Sequence, residues 1–482
     1  MRENIIGREY EIGLMEQYVA SPKSEFIAVY GRRRIGKTYL IRELLENRFT
    51  FRCTGKDNIS TSEQLRSFCY AMTDQLGIDA SSDNWTDALR LLQKAIEAMP
   101  KKAVKILFFD ELPWFETRNS HFVSALEHFW NDWAAYRTDI KLIACGSATT
   151  WMLSNVINAR GGLHNRVTHT ILLAPFNLAE TEEYFSRNGF GYQRQEILDN
   201  YMAVGGVAYY LTLFSPKESV AQNIQRLCFS RGGELVQEFA KVFRALYKKA
   251  DKHEKIIEAL SQKGCGMTRA ELLSATGISN NGNISVILKE LELCDFIRSY
   301  SPFGKKRKER LYQLIDPFTL FYFRFMRGDG TFGKNHWLKL QNTPGYHQWC
   351  GYAFELVCLN HISQIIKALG IDGCINEPCS WTYRAPKAQE DEFLKGGAQI
   401  DLLIDRSDRT ITICEMKYST GEYAITKEED AALQRRMEVL RRVTDTRKSL
   451  MATYITPNGL YNNMYARRLT RVVVGDDLFV GK

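Results

Sequence analysis

Apolar positions along this chain change their period from one region to the next. Between Phe26 and about Leu173, short runs rich in β-branched and aromatic residues (FIAVY, ILFFD, LIACGS, TILLAPF) alternate with amphipathic stretches. Runs apolar at consecutive positions suit strands covered on both faces, and their alternation with helical stretches predicts βα units around a parallel sheet. From Leu178 to about Tyr247 the spacing is helical almost throughout. From Asp251 to Asp316 three short helical segments precede two β-like stretches, and from Gly351 to Val480 a mixed pattern returns with a hairpin. The fold class this predicts is α/β. A parallel-sheet domain spans 1–175, a helical lid 176–248, a helix-turn-helix module 249–318 and a second α/β domain 319–482.

Composition narrows the function classes. The 482 residues set a prior of about three domains. With 45% hydrophobic and 25% charged residues the chain is ordinary globular material, which excludes a disordered, collagen-like or disulfide-stapled protein. Its 11 cysteines form no CxxC pair, and no His pair has zinc-ligand spacing, so they read as small core residues in a reducing compartment. No apolar run has membrane-spanning length, and the charged start MRENIIGREYE lacks the apolar stretch of a signal peptide. A cytoplasmic protein with no membrane partner is expected. The net charge of +8 permits nucleic-acid binding without requiring it.

The strand FIAVY runs directly into Gly31-Arg32-Arg33-Arg34-Ile35-Gly36-Lys37-Thr38-Tyr39 and then a helical stretch. This is GxxxxGK[ST] between a strand and a helix, the context a phosphate-binding loop requires. Glycines let successive backbone amides point at one anion, and the helix N-terminus adds its positive end. Lys37 reaches the β- and γ-phosphates, while the Thr38 hydroxyl completes a Mg²⁺ shell. Residues Gly31 to Tyr39 are thus the expected ATP-contacting segment, with ATP and Mg²⁺ as cofactors.

A second buried strand ends in Asp110-Glu111. Asp110 is placed to hold the metal's water shell and Glu111 to polarise the attacking water, although an acidic pair at a strand end also serves as a solvated helix cap. Ser147 ends a third strand, where it is placed to sense the γ-phosphate or attacking water if that strand lies between the other two, and reads nearly as well as a plain strand-end serine. Arg166 is a candidate for neutralising transition-state charge, in cis or from a neighbouring subunit, and equally reads as a surface arginine. A homo-oligomer follows if it acts in trans.

These residues resemble the archaeal-type P-loop ATPase family, related to AAA+ and STAND ATPases. The N-terminal Gly7-Arg8-Glu9 with its amphipathic helix, the Arg-rich loop and FFDELPW carry the resemblance. It implies that the Gly7 segment packs near the nucleotide base. Asn165 stands where the family has Gly, and Ala208 replaces the Pro of a GGxPxY stretch beginning at Gly205, which reads as a helix junction.

KIIEALSQ, RAELLSATGIS and NISVILKELELCDFI have helix-turn-helix proportions, followed by two strands joined through a tip carrying Lys305, Lys306, Arg307 and Lys308. That outline is a winged helix. The basic tip suits DNA phosphate contact by counterion release. The recognition segment has no arginine, and Asn280, Asn281 and Asn283 read equally as a helix cap, so a wing used for intramolecular packing is the competing expectation.

In the C-terminal domain, a buried helix carries Glu355, and a predicted hairpin carries Asp401 on one strand and Glu415 and Lys417 on the other. Glu415 and Lys417 are two apart and share a face, with Asp401 opposite if the register matches. Hard oxygens of Glu355, Asp401 and Glu415 suit Mg²⁺, and Lys417 can orient water for phosphodiester cleavage. A strand-edge salt bridge is the alternative. The pattern resembles the PD-(D/E)xK nuclease superfamily, with Ile400 replacing the Pro and Gln434 at a position commonly polar. The resemblance implies a restriction-endonuclease-like fold. Two functions are therefore expected: a DNA-associated ATPase with a nuclease-like domain, or a nucleotide-gated switch whose C-terminal domain binds a partner without cutting.

Overall fold

Within the runs FIAVY, ILFFD and LIACGS, odd and even positions serve two different cores, which is why these runs carry little polar relief. Phe26, Ala28, Leu107, Phe109, Leu142 and Ala144 pack on one face with residues of helices Thr61–Leu76, Trp85–Glu97 and Phe122–Asp132. Ile27, Val29, Ile106, Phe108, Ile143 and Cys145 pack on the other with Met15, Val19, Ile41 and Leu45 from helices Glu9–Ala20 and Lys37–Leu45. The structure, a computed structural model, describes residues 4–100, 103–157, 165–247, 250–305, 309–328, 332–333, 335–386, 389 and 391–481. The chain divides into two units, Met1–Pro175 and Phe176–Lys482.

The first unit is built on strands β1 (Glu25–Tyr30), β2 (Phe49–Thr54), β3 (Lys105–Asp110), β4 (Ile140–Gly146) and β5 (His169–Leu172). All pair in parallel, in the order β2-β3-β4-β1-β5. Strand β2 does not follow the continuous apolar pattern. It lies at the sheet edge, and in FTFRCT only Phe51 and Cys53 are buried, so its sequence alternates. One buried ion pair braces the sheet's opposite end from the glycine-rich loop, with Lys105 Nζ 2.6 Å from Asp139 and Arg137 also on that carboxylate.

The second unit begins with helices Leu178–Arg187, Arg194–Val204, Ala208–Thr212, Val220–Phe229 and Glu238–Leu246. Gly205 (φ 66°) ends the second of these, and a Cβ on Gly206 would lie 1.8 Å from the Phe176 carbonyl oxygen, so the junction requires glycine. Helices Asp251–Ser261, Arg269–Thr276 and Gly282–Leu293 follow with strands β6 (Met267–Thr268), β7 (Ile297–Tyr300) and β8 (Leu311–Leu314), antiparallel in the order β6-β8-β7. The two-residue β6 has no sequence signal. Asn281 caps the third helix by accepting from the Asn283 N–H at 3.1 Å.

Helix Pro344–Asn360 leads to a mixed sheet of β9 (Asn376–Tyr383), β10 (Ala398–Arg406), β11 (Thr410–Met416), β12 (Ser449–Thr456) and β13 (Val472–Val474). Strands β9, β10 and β11 are antiparallel, and β11, β12 and β13 parallel, with helix Lys427–Thr444 as the crossover a parallel pair needs. Among the described residues no helix is long and apolar enough to cross a membrane, and none of the 11 cysteines is in a disulfide.

Candidate nucleotide site and C-terminal carboxylate cluster

Parallel pairing brings Tyr30 level with Gly146, and Phe109 level with Ala144, so the residues following β1, β3 and β4 emerge at one end of the sheet. Ligands of open α/β sheets bind at this carboxyl end. Gly31 leaves β1 at φ 141°, and a Cβ there would lie 2.2 Å from the Leu173 carbonyl oxygen. Arg34 and Gly36 take left-handed φ values of 71° and 91°, curling the loop into the N-terminus of helix Lys37–Leu45. Lys37 is buried, and its Nζ donates to the carbonyls of Gly31 (3.0 Å) and Arg32 (2.8 Å), which holds the ammonium across its own loop. Of the arginines, Arg32 is buried and Arg33 exposed. Ile35 joins Ile5, Leu40 and Leu173 in a small core, and Tyr39 is exposed with its hydroxyl donating to the Asn4 carbonyl at 3.2 Å.

Thr38 Oγ1 lies 3.0 Å from both carboxylate oxygens of Asp110. Burial, and then the like charge of Glu111, push the Asp110 carboxyl up, against the hydrogen bond from Thr38. Such a carboxylate gains from a cation beside it. Glu111 adopts φ 48°, a left-handed backbone rare outside glycine and stored at functional sites. Strand β4 does lie between β1 and β3, and Ser147 donates to Glu111 Oε2 from both its hydroxyl (2.9 Å) and its backbone N–H (3.3 Å). Ser147 thus grips the acidic residue's side chain, a link no sequence pattern advertised. Arg166 is exposed ahead of β5. Arg8 is buried with φ 66° and donates to the Ala174 carbonyl at 2.7 Å, anchoring the N-terminal segment to the strand-β5 exit.

Residues 5–214 match the family model of an ATPase domain found predominantly in Archaea. This region is an archaeal-type ATPase domain. An uncharacterized protein of Methanocaldococcus jannaschii is 23% identical over 421 residues, covering 86% of this chain and 87% of that one. An uncharacterized ATP-binding protein of the same organism is 42% identical over 43 residues, 9% of this chain and 73% of that one. The Walker-type ATPase paby2304 of Pyrococcus abyssi shares the fold with a TM-score of 0.50 at 16% identity, covering 67% of this chain and 97% of that one. ATP hydrolysis is the general activity of the ATPase domain family, and the loop, Asp110, Glu111 and Ser147 all belong to the matched region.

Beyond the ATPase domain, the register of β10 and β11 pairs Leu402 with Cys414, the residues next in sequence to Asp401 and Glu415. Glu355, on helix Pro344–Asn360, lies within electrostatic reach of both and of Lys417. Burial, then the charges of Asp401 and Glu415, raise the Glu355 carboxyl to about 8 against the opposing Lys417. Burial likewise raises Glu415, opposed first by Arg436. Arg436 of helix Lys427–Thr444 donates to Glu415 at 2.5 Å, and Gln399 Nε2 donates to Asp401 at 2.6 Å. Gln434, at the position the superfamily resemblance matches, is exposed, whereas Arg436 two residues on, which the sequence did not single out, makes the contact. Among the described residues no three His, Cys, Asp or Glu side chains are arranged to hold a metal ion.

The segment expected to form a wing presents a split picture. Lys305 pairs with Glu309 at 3.1 Å, both about half exposed, whereas Lys306, Arg307 and Lys308 lie outside the described residues. Phe303, at the wing base, packs against the core of the C-terminal sheet and donates its backbone N–H to the Ser380 carbonyl at 2.8 Å.

Proposed function

We propose that the chain is a cytoplasmic, Mg²⁺-dependent ATP hydrolase acting in association with DNA, organised as an ATPase domain (1–175), a lid (176–248), a winged helix (249–318) and a restriction-endonuclease-like domain (319–482). The observation that carries the proposal is the 3.0 Å approach of Thr38 Oγ1 to both oxygens of a buried Asp110, beside a lysine held over a glycine-bounded loop. Those hard oxygens and the repulsion between Asp110 and Glu111 fit a divalent cation. When bound, Mg²⁺ would neutralise phosphate charge. Lys37 exchanges its two loop carbonyls for phosphate oxygens, and the loop amides cradle the same anion. Glu111, oriented by Ser147, accepts a proton from the attacking water. Arg166 offers its charge to the transferred phosphoryl group.

For the C-terminal domain, we assign Glu355, Asp401 and Glu415 as the carboxylates and Lys417 as the water-orienting base. Hard oxygens suit Mg²⁺ in kind, but these carboxylates are not arranged to hold a metal ion, Arg436 occupies Glu415, and no cleavage step follows from that arrangement. This ion pair favours a second reading, in which ATP turnover gates a partner-binding domain that does not cut. The decisive assay is cleavage of linear, nicked and branched DNA in Mg²⁺ or Mn²⁺ by wild type, Asp401→Ala and Lys417→Ala. Activity lost in both variants supports the nuclease, and identical behaviour of all three removes it.

A further inference from the structure

An open groove of about 870 Å³ runs between the three-helix module and the C-terminal sheet, within the second unit. One wall carries Lys263 and the wing base at Phe303 and Lys305, and the other carries Thr382, Tyr383 and Arg384 at the end of β9. The geometry points to this groove as the seat of one polynucleotide strand, led from the wing toward Asp401. This inference rests on the nucleic-acid reading above and adds the strand form and the path.

Three observations converge. First, the walls are pinned to each other. Phe303 N–H donates to the Ser380 carbonyl at 2.8 Å, and Arg384 and Lys263 each reach the Glu271 carboxylate at 2.9 Å. The width is therefore built into the fold. A drug-sized ligand fills about 300–1,000 Å³, so this volume takes roughly two or three nucleotides of a single strand.

Second, the lining has the chemistry that single strands need. Three cations (Lys263, Lys305, Arg384) face two carboxylates (Glu271, Glu309), which leaves an excess of one positive charge. The aromatic faces of Phe303 and Tyr383 offer base stacking, which works for any base sequence. Two cations shared by one carboxylate also leave hydrogen-bond donors for phosphate oxygens, because Arg carries five N–H groups and Lys three.

Third, the groove lies beside the carboxylates. Gln399, in its lining, donates to Asp401 at 2.6 Å. Lys263 also lines a second, smaller cavity together with Gly264, Tyr352 and Glu355. Asp401 is close enough for its charge to act on Cys265, Tyr300 and Tyr352, residues of the three-helix module and the helix that carries Glu355. Asp401 is thus bonded to one residue of the groove lining, and Glu355 shares a cavity with another.

The test uses the full chain in EDTA, with fluorescence anisotropy of labelled oligo(dT), oligo(U) and a duplex. Thr382→Glu and Val443→Glu place an acid in the groove from two different elements and touch none of the ion pairs or carboxylates. The expected result is single-strand affinity lowered about tenfold in each folded variant, with duplex affinity unchanged. The oligo(dT) and oligo(U) arms separate DNA from RNA as the source of the strand. Hydrogen exchange of wild type gives a readout without mutation: oligonucleotide binding should protect residues 263–271 and 380–384. Unaltered single-strand binding in both variants, an equal loss for strand and duplex, or no protection of those segments overturns the groove. Absence of binding to every nucleic acid by wild type overturns the nucleic-acid reading along with it, whereas duplex binding that the variants leave intact overturns the groove alone.

Discussion

Asp199, on helix Arg194–Val204, offers a quantitative test of the packing in the second unit. Tyr418 Oη donates to its Oδ1 at 2.7 Å and Gln195 Nε2 at 3.1 Å. Burial outweighs both bonds and raises its carboxyl from 3.8 to about 6. The perturbation is Asp199→Asn, which removes the titration and keeps an oxygen for the Tyr418 hydroxyl. The unfolded carboxyl ionises near 3.8 while the native one keeps its proton to about 6, so the native state binds more protons across that window. Stability therefore falls as pH rises through it, with the penalty absent well below 3.8 and complete above about 6. At about 1.36 kcal/mol per pH unit, the full penalty is about 3 kcal/mol, of which about 1 kcal/mol is present at pH 4.5. The unmatched amide N–H of asparagine costs about 1 kcal/mol at every pH and cancels in the comparison. Calorimetric melting from pH 4.5 to 7.5 should show the variant gaining about 2 kcal/mol on wild type, roughly 4 °C for a domain of this size. A difference that stays constant with pH would refute the reasoning.

Other outcomes follow from the same structure. Glu111→Gln should keep ATP affinity, read by calorimetry, and slow turnover by about a hundredfold or more, as removal of a general base does. Ser147→Ala deletes the 2.9 Å bond that orients Glu111 and should lower kcat about tenfold at unchanged KM, measured by phosphate release. Lys105→Met strips one cation from buried Asp139 and should cost about 2–4 kcal/mol in urea unfolding, the lower end applying because Arg137 still holds the carboxylate.

The strands FIAVY, ILFFD and LIACGS were legible because both of their faces are buried, so nearly every position demanded an apolar residue, whereas in TILLAPF the edge strand β5 buries only Ile171. Edge strand β2 was not, since half its residues face partly outward and its alternation imitates a loop. In the glycine-rich loop the two glycines were legible, because backbone geometry there admits few alternatives: Gly31 abuts the Leu173 carbonyl and Gly36 takes a left-handed φ. The pairing of Ser147 with Glu111 and of Arg436 with Glu415 stayed hidden. Each joins residues separated in sequence, 36 and 21 positions apart, and depends on strand order and helix rotation that no local pattern encodes. The hairpin of β10 and β11 was accessible from two β-rich runs around a tight polar turn, whereas its register was not fixed by the sequence.

The central claim, that the loop after β1 grips the triphosphate through Lys37, is most directly tested by titrating Mg·ATP into wild type and Lys37→Ala by calorimetry. Two charge-assisted hydrogen bonds lost from a phosphate correspond to at least about 3 kcal/mol, so affinity should drop about a hundredfold or more while the melting temperature is kept. Equal ATP affinity in the two proteins would contradict the account.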